Sequence, residues 1–128
     1  MAGSSDTYHE PLDKLSPTTQ DMHRALVSLQ EELEAVDWYQ QRADACEEPE
    51  LKAILLHNMR EEIEHASMVL EWLRRHHPDF EKHLRTYLFQ DKPILAVEQV
   101  ERVSNGNTEM NAARPQRSSL TVGTMKGD

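Results

Sequence analysis

The sequence predicts an all-α protein: an antiparallel two-helix hairpin plus a short C-terminal helix, with two hairpins dimerising into a four-helix bundle. Three observations predict it. Apolar residues recur at helical spacing through two long stretches. Ser16-Pro17, Glu47-Glu48-Pro49 and Pro78 punctuate those stretches where helices start and stop. Glu62 and His65 fall on the apolar stripe itself, where a polar pair is costly unless it is paired or coordinates a metal.

Residues 1–17 read as a flexible N-terminal arm ending at Ser16-Pro17. The first helix is expected to begin near Thr18 or Thr19 and run to about Ala45, with Met22, Leu26, Leu29, Leu33 and Val36 on its apolar stripe. Glu47-Glu48-Pro49 breaks it. Pro49 suits a first helical position, and Glu50 complements the positive end of the next helix dipole. That second helix runs to His76 or His77 and is ended by Pro78. So short a connection makes the two long helices antiparallel neighbours. A third helix is expected at 79–90, with Phe80, Leu84, Tyr87 and Leu88 on one face. Lys92-Pro93 interrupts it, and 94–102 forms one further helical segment, so 18–103 reads as one helical domain. The composition of 104–117 is that of a flexible linker, and apolar residues return in 118–128.

A formal net charge of -9, from 23 acidic residues against 14 Lys and Arg, excludes the basic footprint that nucleic acid requires and suits a protein that attracts cations. The apolar fraction of 38% is low for a self-sufficient globule and fits a surface completed by partner chains. Cys46 is the single cysteine, which excludes an internal disulfide and a zinc–thiolate cluster within one chain. The first residues lack the basic and apolar regions of a secretory signal, and no apolar run approaches the roughly 18–20 residues that span a bilayer. A soluble, cytoplasmic protein without membrane contact is expected.

On a wheel of about 100° per residue, Glu62 lies roughly 20° from Leu51 and His65 roughly 40° to the other side, both within the seam of Ile54, Leu55, Ala66, Val69, Trp72 and Leu73. Di-iron carboxylate bundles combine two lone Glu residues with two Glu-x-x-His motifs. This chain offers one Glu-x-x-His on one pair of helices, hence half of a site, completed most simply by a homodimer with the metals on its two-fold axis. The partner carboxylate comes from Glu31, Glu32 or Glu34. With Met22 at zero the first stripe centres near roughly 340° and Glu32 falls near roughly 280°, whereas Glu31 and Glu34 fall near roughly 180° and 120°. Glu32, Glu62 and His65 are therefore the inner set, and the imidazole favours a transition metal over calcium or magnesium. The competing reading is a Glu–His pair that only fixes dimer register.

Glu31, Glu34, Trp38 and Val27 share the opposite face, as a solvated acidic patch against a neighbouring subunit or as a weak outer cation site feeding the inner one. Tyr39 lies beside Glu32, where its hydroxyl either hydrogen-bonds a ligand or simply packs at an interface. His57, His76 and His77 read as surface residues, and His9-Glu10 lacks the second histidine of a zinc protease.

The block Glu31-Glu32-Leu33-Glu34-Ala35-Val36-Asp37-Trp38-Tyr39, then His57-Asn58 and Glu61-Glu62-Ile63-Glu64-His65-Ala66, then Leu70-Glu71-Trp72-Leu73-Arg74-Arg75, strongly resembles the encapsulated ferritins. The likeness continues through His83-Leu84-Arg85-Thr86-Tyr87-Leu88-Phe89 and covers most of residues 9–95. Ser119-Leu120-Thr121-Val122-Gly123-Thr124-Met125-Lys126 resembles the peptide that docks cargo inside encapsulin shells, with Thr124-Met125 in place of the more usual Ser-Leu. The resemblance implies a ferritin-like bundle that oxidises Fe²⁺ with dioxygen at a di-iron site across a dimer interface. It also implies further assembly of the dimers into a ring (a decamer), and iron storage as mineral in the lumen of the encapsulin nanocompartment. It puts the inner ligands at Glu32, Glu62 and His65, two irons per dimer interface. An outer site falls at Glu31 and Glu34 with Trp38 nearby, and a tyrosine of the site at Tyr39. Calcium or zinc are admitted as substitutes at either site. Leu120, Val122 and Met125 become the docking anchors in the shell. The rival functions are a non-catalytic metal-dependent scaffold or metal buffer, and a rubrerythrin-like peroxidase, whose cysteine pairs one Cys cannot supply.

Overall fold

A computed structural model describes residues 7–112, with side chains described as far as residue 106. Residues 1–6 and 113–128, and with them Leu120, Val122 and Met125, lie outside the described residues. Those described form helices and no strand: a 3-10 turn at Leu12–Lys14, then α1 (Pro17–Ala45), α2 (Pro49–His76), α3 (Pro78–Tyr87) and α4 (Ile94–Ala112). The all-α expectation holds.

Local chemistry sets each boundary. The Ser16 hydroxyl accepts from the Thr19 amide at 3.1 Å, and Pro17, whose missing N–H costs nothing there, opens α1. Extended backbone at Cys46 closes that helix. Glu48 then caps α2 by accepting from the Leu51 amide at 2.7 Å, ahead of Pro49. Extended backbone at His77 and Pro78 beyond it end α2. α3 stops at Tyr87, short of the expected residue 90, because Phe89 turns into the left-handed region at φ 61 and breaks the helical repeat. α4 runs on into 104–112, the first part of the stretch that composition reads as linker. Once a helix is nucleated, each Ser, Asn or Gly withdraws only a few tenths to about 1 kcal/mol, too little by itself to end it.

The described part of the arm before α1 makes side-chain contacts with that helix. The Tyr8 ring stacks on His23 with centroids 4.2 Å apart, and the Gln20 side-chain amide donates to the Leu15 carbonyl at 3.1 Å. An aromatic contact to a residue of α1 leaves no periodic trace in the sequence.

α1 and α2 pack along each other. The three residues between them, 46–48, permit only an antiparallel pair, and Asp44 with Lys52, then Asp37 with Met59, line one groove leading away from the turn. The chain divides into two compact units between Glu81 and Lys82, inside the span 18–103. In the second unit Val97 of α4 is buried, and an Arg102–Glu98 pair at 3.1 Å supports the helix one turn apart.

Two helices have one shared seam and little else to bury. Among the described residues only Ala43, Ala66, Leu73 and Val97 are buried apolar residues. Leu33 (54% exposed), Ile54 (51%) and Ile63 (45%) of the hairpin remain open to solvent. Leu73, with 0% exposure, is the largest fully buried side chain, so Leu73→Ala is expected to destabilise the fold by about 2–5 kcal/mol in chemical denaturation. No described helix is long and apolar enough to cross a membrane.

An ion network closes the far end of α2. Arg74 grips Glu71 through two hydrogen bonds of 2.7 Å and also donates to Glu81, while Arg75 donates to Glu71 at 2.6 Å. Hydrogen bonds from Arg74 first and then Arg75 hold the Glu71 carboxyl at about 2, below its ordinary value of 4.5. The unfolded chain therefore takes up this proton near 4.5 and the folded chain only near 2. The network's stabilisation is complete above that window and drains as pH falls through it. Denaturation at a series of pH values is expected to show the decline in wild type and a flatter acid limb in Glu71→Gln.

Candidate metal centre

Glu32 lies midway along α1, and Glu62 and His65 lie one turn apart on α2, so an antiparallel pair brings the three to one level. The His65 Nδ1 stands 3.3 Å from a Glu62 oxygen and 3.7 Å from a Glu32 oxygen. Ligand atoms of all three lie within 4.8 Å of one another, the one such group of three among the described residues. All are half-buried, on the flank of the hairpin rather than sealed between its helices.

The electrostatics follow from the crowding. Glu32 is pushed above the usual carboxylate value, first by its hydrogen bond with Glu62, then by burial and by that residue's negative charge. Glu62 is lowered by the same hydrogen bond, against burial. The two opposite shifts belong to the pair of carboxylates rather than to either one alone. His65 is raised, chiefly by its hydrogen bond to Glu62 and against burial, with Glu32 and Glu61 adding to it. Two carboxylates this close, with an imidazole against them, make a pocket that favours positive charge.

The donor set also fits a metal. Two donors about 2.1 Å from one ion are separated by about 3.0–4.2 Å, depending on the angle between them. The spacings of 3.3 and 3.7 Å fall inside that range without movement of the chain. Two carboxylates with one imidazole make a borderline-hard set suited to Fe²⁺, Mn²⁺ or Zn²⁺. Three donors leave half of an octahedral shell open.

The outer residues are not drawn together in this way. Glu31 is exposed and Glu34 half-buried, and neither joins a group of three metal-binding side chains among the described residues. Trp38 is 42% exposed, and Tyr39 is half-buried. The Arg42 guanidinium lies 5.3 Å from the Tyr39 ring centre and 5.9 Å from that of Trp38, so both aromatics face a fixed cation. Sequence reasoning missed Arg42, although its spacing of three and four from these rings is the signal for such a contact. His57 is exposed, 3.9 Å from Glu61. His76 is exposed and stacks on Trp72 at 4.0 Å, and half-buried His77 meets Phe80 edge-on at 5.6 Å.

Over its full length the chain is 51% identical to an encapsulated ferritin-like protein of Rhodospirillum rubrum, covering 94% of that protein. It is 49% identical to a ferritin-like protein of Thermotoga maritima, over 81% of this chain and 91% of the relative. An encapsulin nanocompartment cargo protein of Myxococcus xanthus is 26% identical over 95% of this chain and 97% of its own length. A crystal structure of a protein from Nitrosomonas europaea superposes with a TM-score of 0.66 at 62% identity, covering 68% of this chain and 96% of that one. Residues 7–91, which hold the hairpin and all three clustered side chains, match the EncFtn-like family, and the chain belongs to it.

Proposed function

We propose that this chain is a ferroxidase that oxidises Fe²⁺ to Fe³⁺ with dioxygen at a di-iron site shared by two copies, and that it works as cargo inside an encapsulin shell. The observation that carries the reading is the convergence of Glu32, Glu62 and His65 on a half-exposed flank of the hairpin. A single copy supplies three donors and leaves Leu33, Ile54 and Ile63 uncovered, so a second copy related by a two-fold axis answers both deficits. The pair then offers four carboxylates and two imidazoles, enough for two ferrous ions as substrate.

Each residue has a defined part. Glu32 and Glu62 offer carboxylate oxygens to the arriving divalent ion, and their charge favours the trivalent product over the divalent reactant. His65, held by Glu62, presents its ring to the same ion. Each Fe²⁺ loses one electron, and dioxygen takes up two electrons and two protons to form hydrogen peroxide or four of each to form water. Glu31 and Glu34 act as the outer intake for ions, with Trp38 beside them, and Tyr39 supports the inner site. Calcium or zinc compete for both positions.

The dimers assemble into a ring, a decamer, in the lumen of a cytoplasmic shell, where the ferric product mineralises. Leu120, Val122 and Met125 anchor the chain to the shell wall. Support for this part comes from relatives named as encapsulated and as encapsulin cargo. Oxygen consumption on adding Fe²⁺ to the assembled protein tests the activity. Metal-dependent assembly without oxygen uptake would instead make the chain a scaffold or metal buffer.

A further inference from the structure

Three helices of this chain open in one way, with a side chain accepting a hydrogen bond ahead of a proline: Ser16 before Pro17, Glu48 before Pro49 and His77 before Pro78. At the third, His77 has the extended backbone of an N-cap, with φ -138 and ψ 117, and its Nδ1 accepts from the Asp79 amide at 3.2 Å. A backbone N–H can only donate, so this Nδ1 carries no proton and the neutral ring keeps its hydrogen on Nε2. His76 beside it is the reverse. Its Nδ1 stands 2.8 Å from the Trp72 carbonyl, which can only accept, so here Nδ1 is the protonated nitrogen. The His76 ring also lies stacked on Trp72. Adjacent imidazoles thus hold the α2–α3 corner in opposite roles, one as acceptor and one as donor.

We propose that His77 is a proton-operated cap, holding the first turn of α3 while its ring is neutral and releasing the Asp79 amide when Nδ1 takes up a proton. An imidazolium has no lone pair left to accept with, and its charge is unfavourable at the positive end of a helix dipole. Histidine is the side chain that changes charge between pH 5 and 8, whereas a hydroxyl or a carboxylate, as at the other two helix starts, accepts throughout that range. His76 keeps its bond in either state, because an imidazolium donates from both nitrogens and is attracted to the Trp72 ring. Arg74, Arg75 and His76 face the corner from α2, and Asp79 and Glu81 face it from α3. The arginines oppose a proton on His77 and the two acids favour it. The Arg74–Glu81 pair and the 3.0 Å bond from the Glu81 amide to the His77 carbonyl do not use the ring. Acid therefore loosens the first turn of α3 without detaching the helix. The chain passes into its second unit between Glu81 and Lys82, a few residues beyond this cap. None of this depends on metal chemistry at Glu32, Glu62 and His65.

The test is residue-resolved hydrogen–deuterium exchange of the full chain near pH 5.5 and 7.5, each rate divided into that of an unstructured peptide at the same pH. Protection of the Asp79 amide is expected to fall at least about threefold on acidification, the scale of one lost N-cap. The Thr19 and Leu51 amides, capped by Ser16 and Glu48, are expected to hold their protection. His77→Asn, which caps without a titrating group, is expected to keep Asp79 protected at both pH values, and His77→Ala at neither. His76→Gln is expected to leave the response in place. Equal protection of Asp79 at the two pH values in wild type overturns the proposal, as does a fall shared equally by Thr19 and Leu51. Acid sensitivity that survives in His77→Asn, or vanishes in His76→Gln, overturns it as well.

Discussion

Exchanging Glu62 for alanine is expected to slow dioxygen-dependent Fe²⁺ oxidation at least about a hundredfold, beyond the range typical of residues that merely orient a ligand. Glu62 is the hub of the cluster: it contacts His65 at 3.3 Å and its charge and hydrogen bonding act on Glu32, so its loss removes a donor and loosens the hold on the other two. In the proposed dimer one substitution acts twice. Helicity is expected to survive, because the side chain is half-buried on a flank rather than packed in the seam. His65→Ala is expected to follow closely. Glu31→Ala or Glu34→Ala is expected to change the rate only several-fold and to shift its dependence on iron concentration, as an intake site would. An oxygen electrode and the ferric absorbance measure all four variants. Retention of the wild-type rate by Glu62→Ala would remove the cluster from the chemistry.

Deleting residues 118–128 is expected to abolish co-purification with a co-expressed encapsulin shell and to leave the oxidation rate of the free protein unchanged. The proposed anchors are the three apolar side chains of this short peptide, Leu120, Val122 and Met125, whose burial in wall pockets would supply the attraction. Leu120→Asp puts a charge into such a pocket and is expected to reproduce most of the deletion. Gel analysis of purified shells reads both variants. Full loading of the truncated chain would move the docking surface elsewhere on the molecule.

What the sequence revealed and what it concealed divide along physical lines. Both long helices were legible because periodicity and proline act through the local chain, and the stops at Pro49 and Pro78 lie within a residue or two of expectation. The meeting of Glu32, Glu62 and His65 was legible for the same reason: a wheel fixes direction, and a short connection fixes level. Features set by contacts without a period were not. The capping role of Glu48 and the stack of Tyr8 on His23 each depend on where one side chain comes to rest. The continuation of α4 past residue 103 escaped because composition records propensity, whereas helix growth also reflects what precedes it.

The tight corner at 46–48 has a consequence for how this chain tolerates change in length. With no slack between α1 and α2, Glu32 and Glu62 are held opposite one another by residue count alone. One amino acid gained or lost on either arm between them swings a carboxylate by about 100° and slides it about 1.5 Å. The corner thus acts as a ruler. A residue inserted or removed between the two glutamates is therefore expected to break up the cluster, whereas the same change of length beyond the hairpin leaves their register untouched.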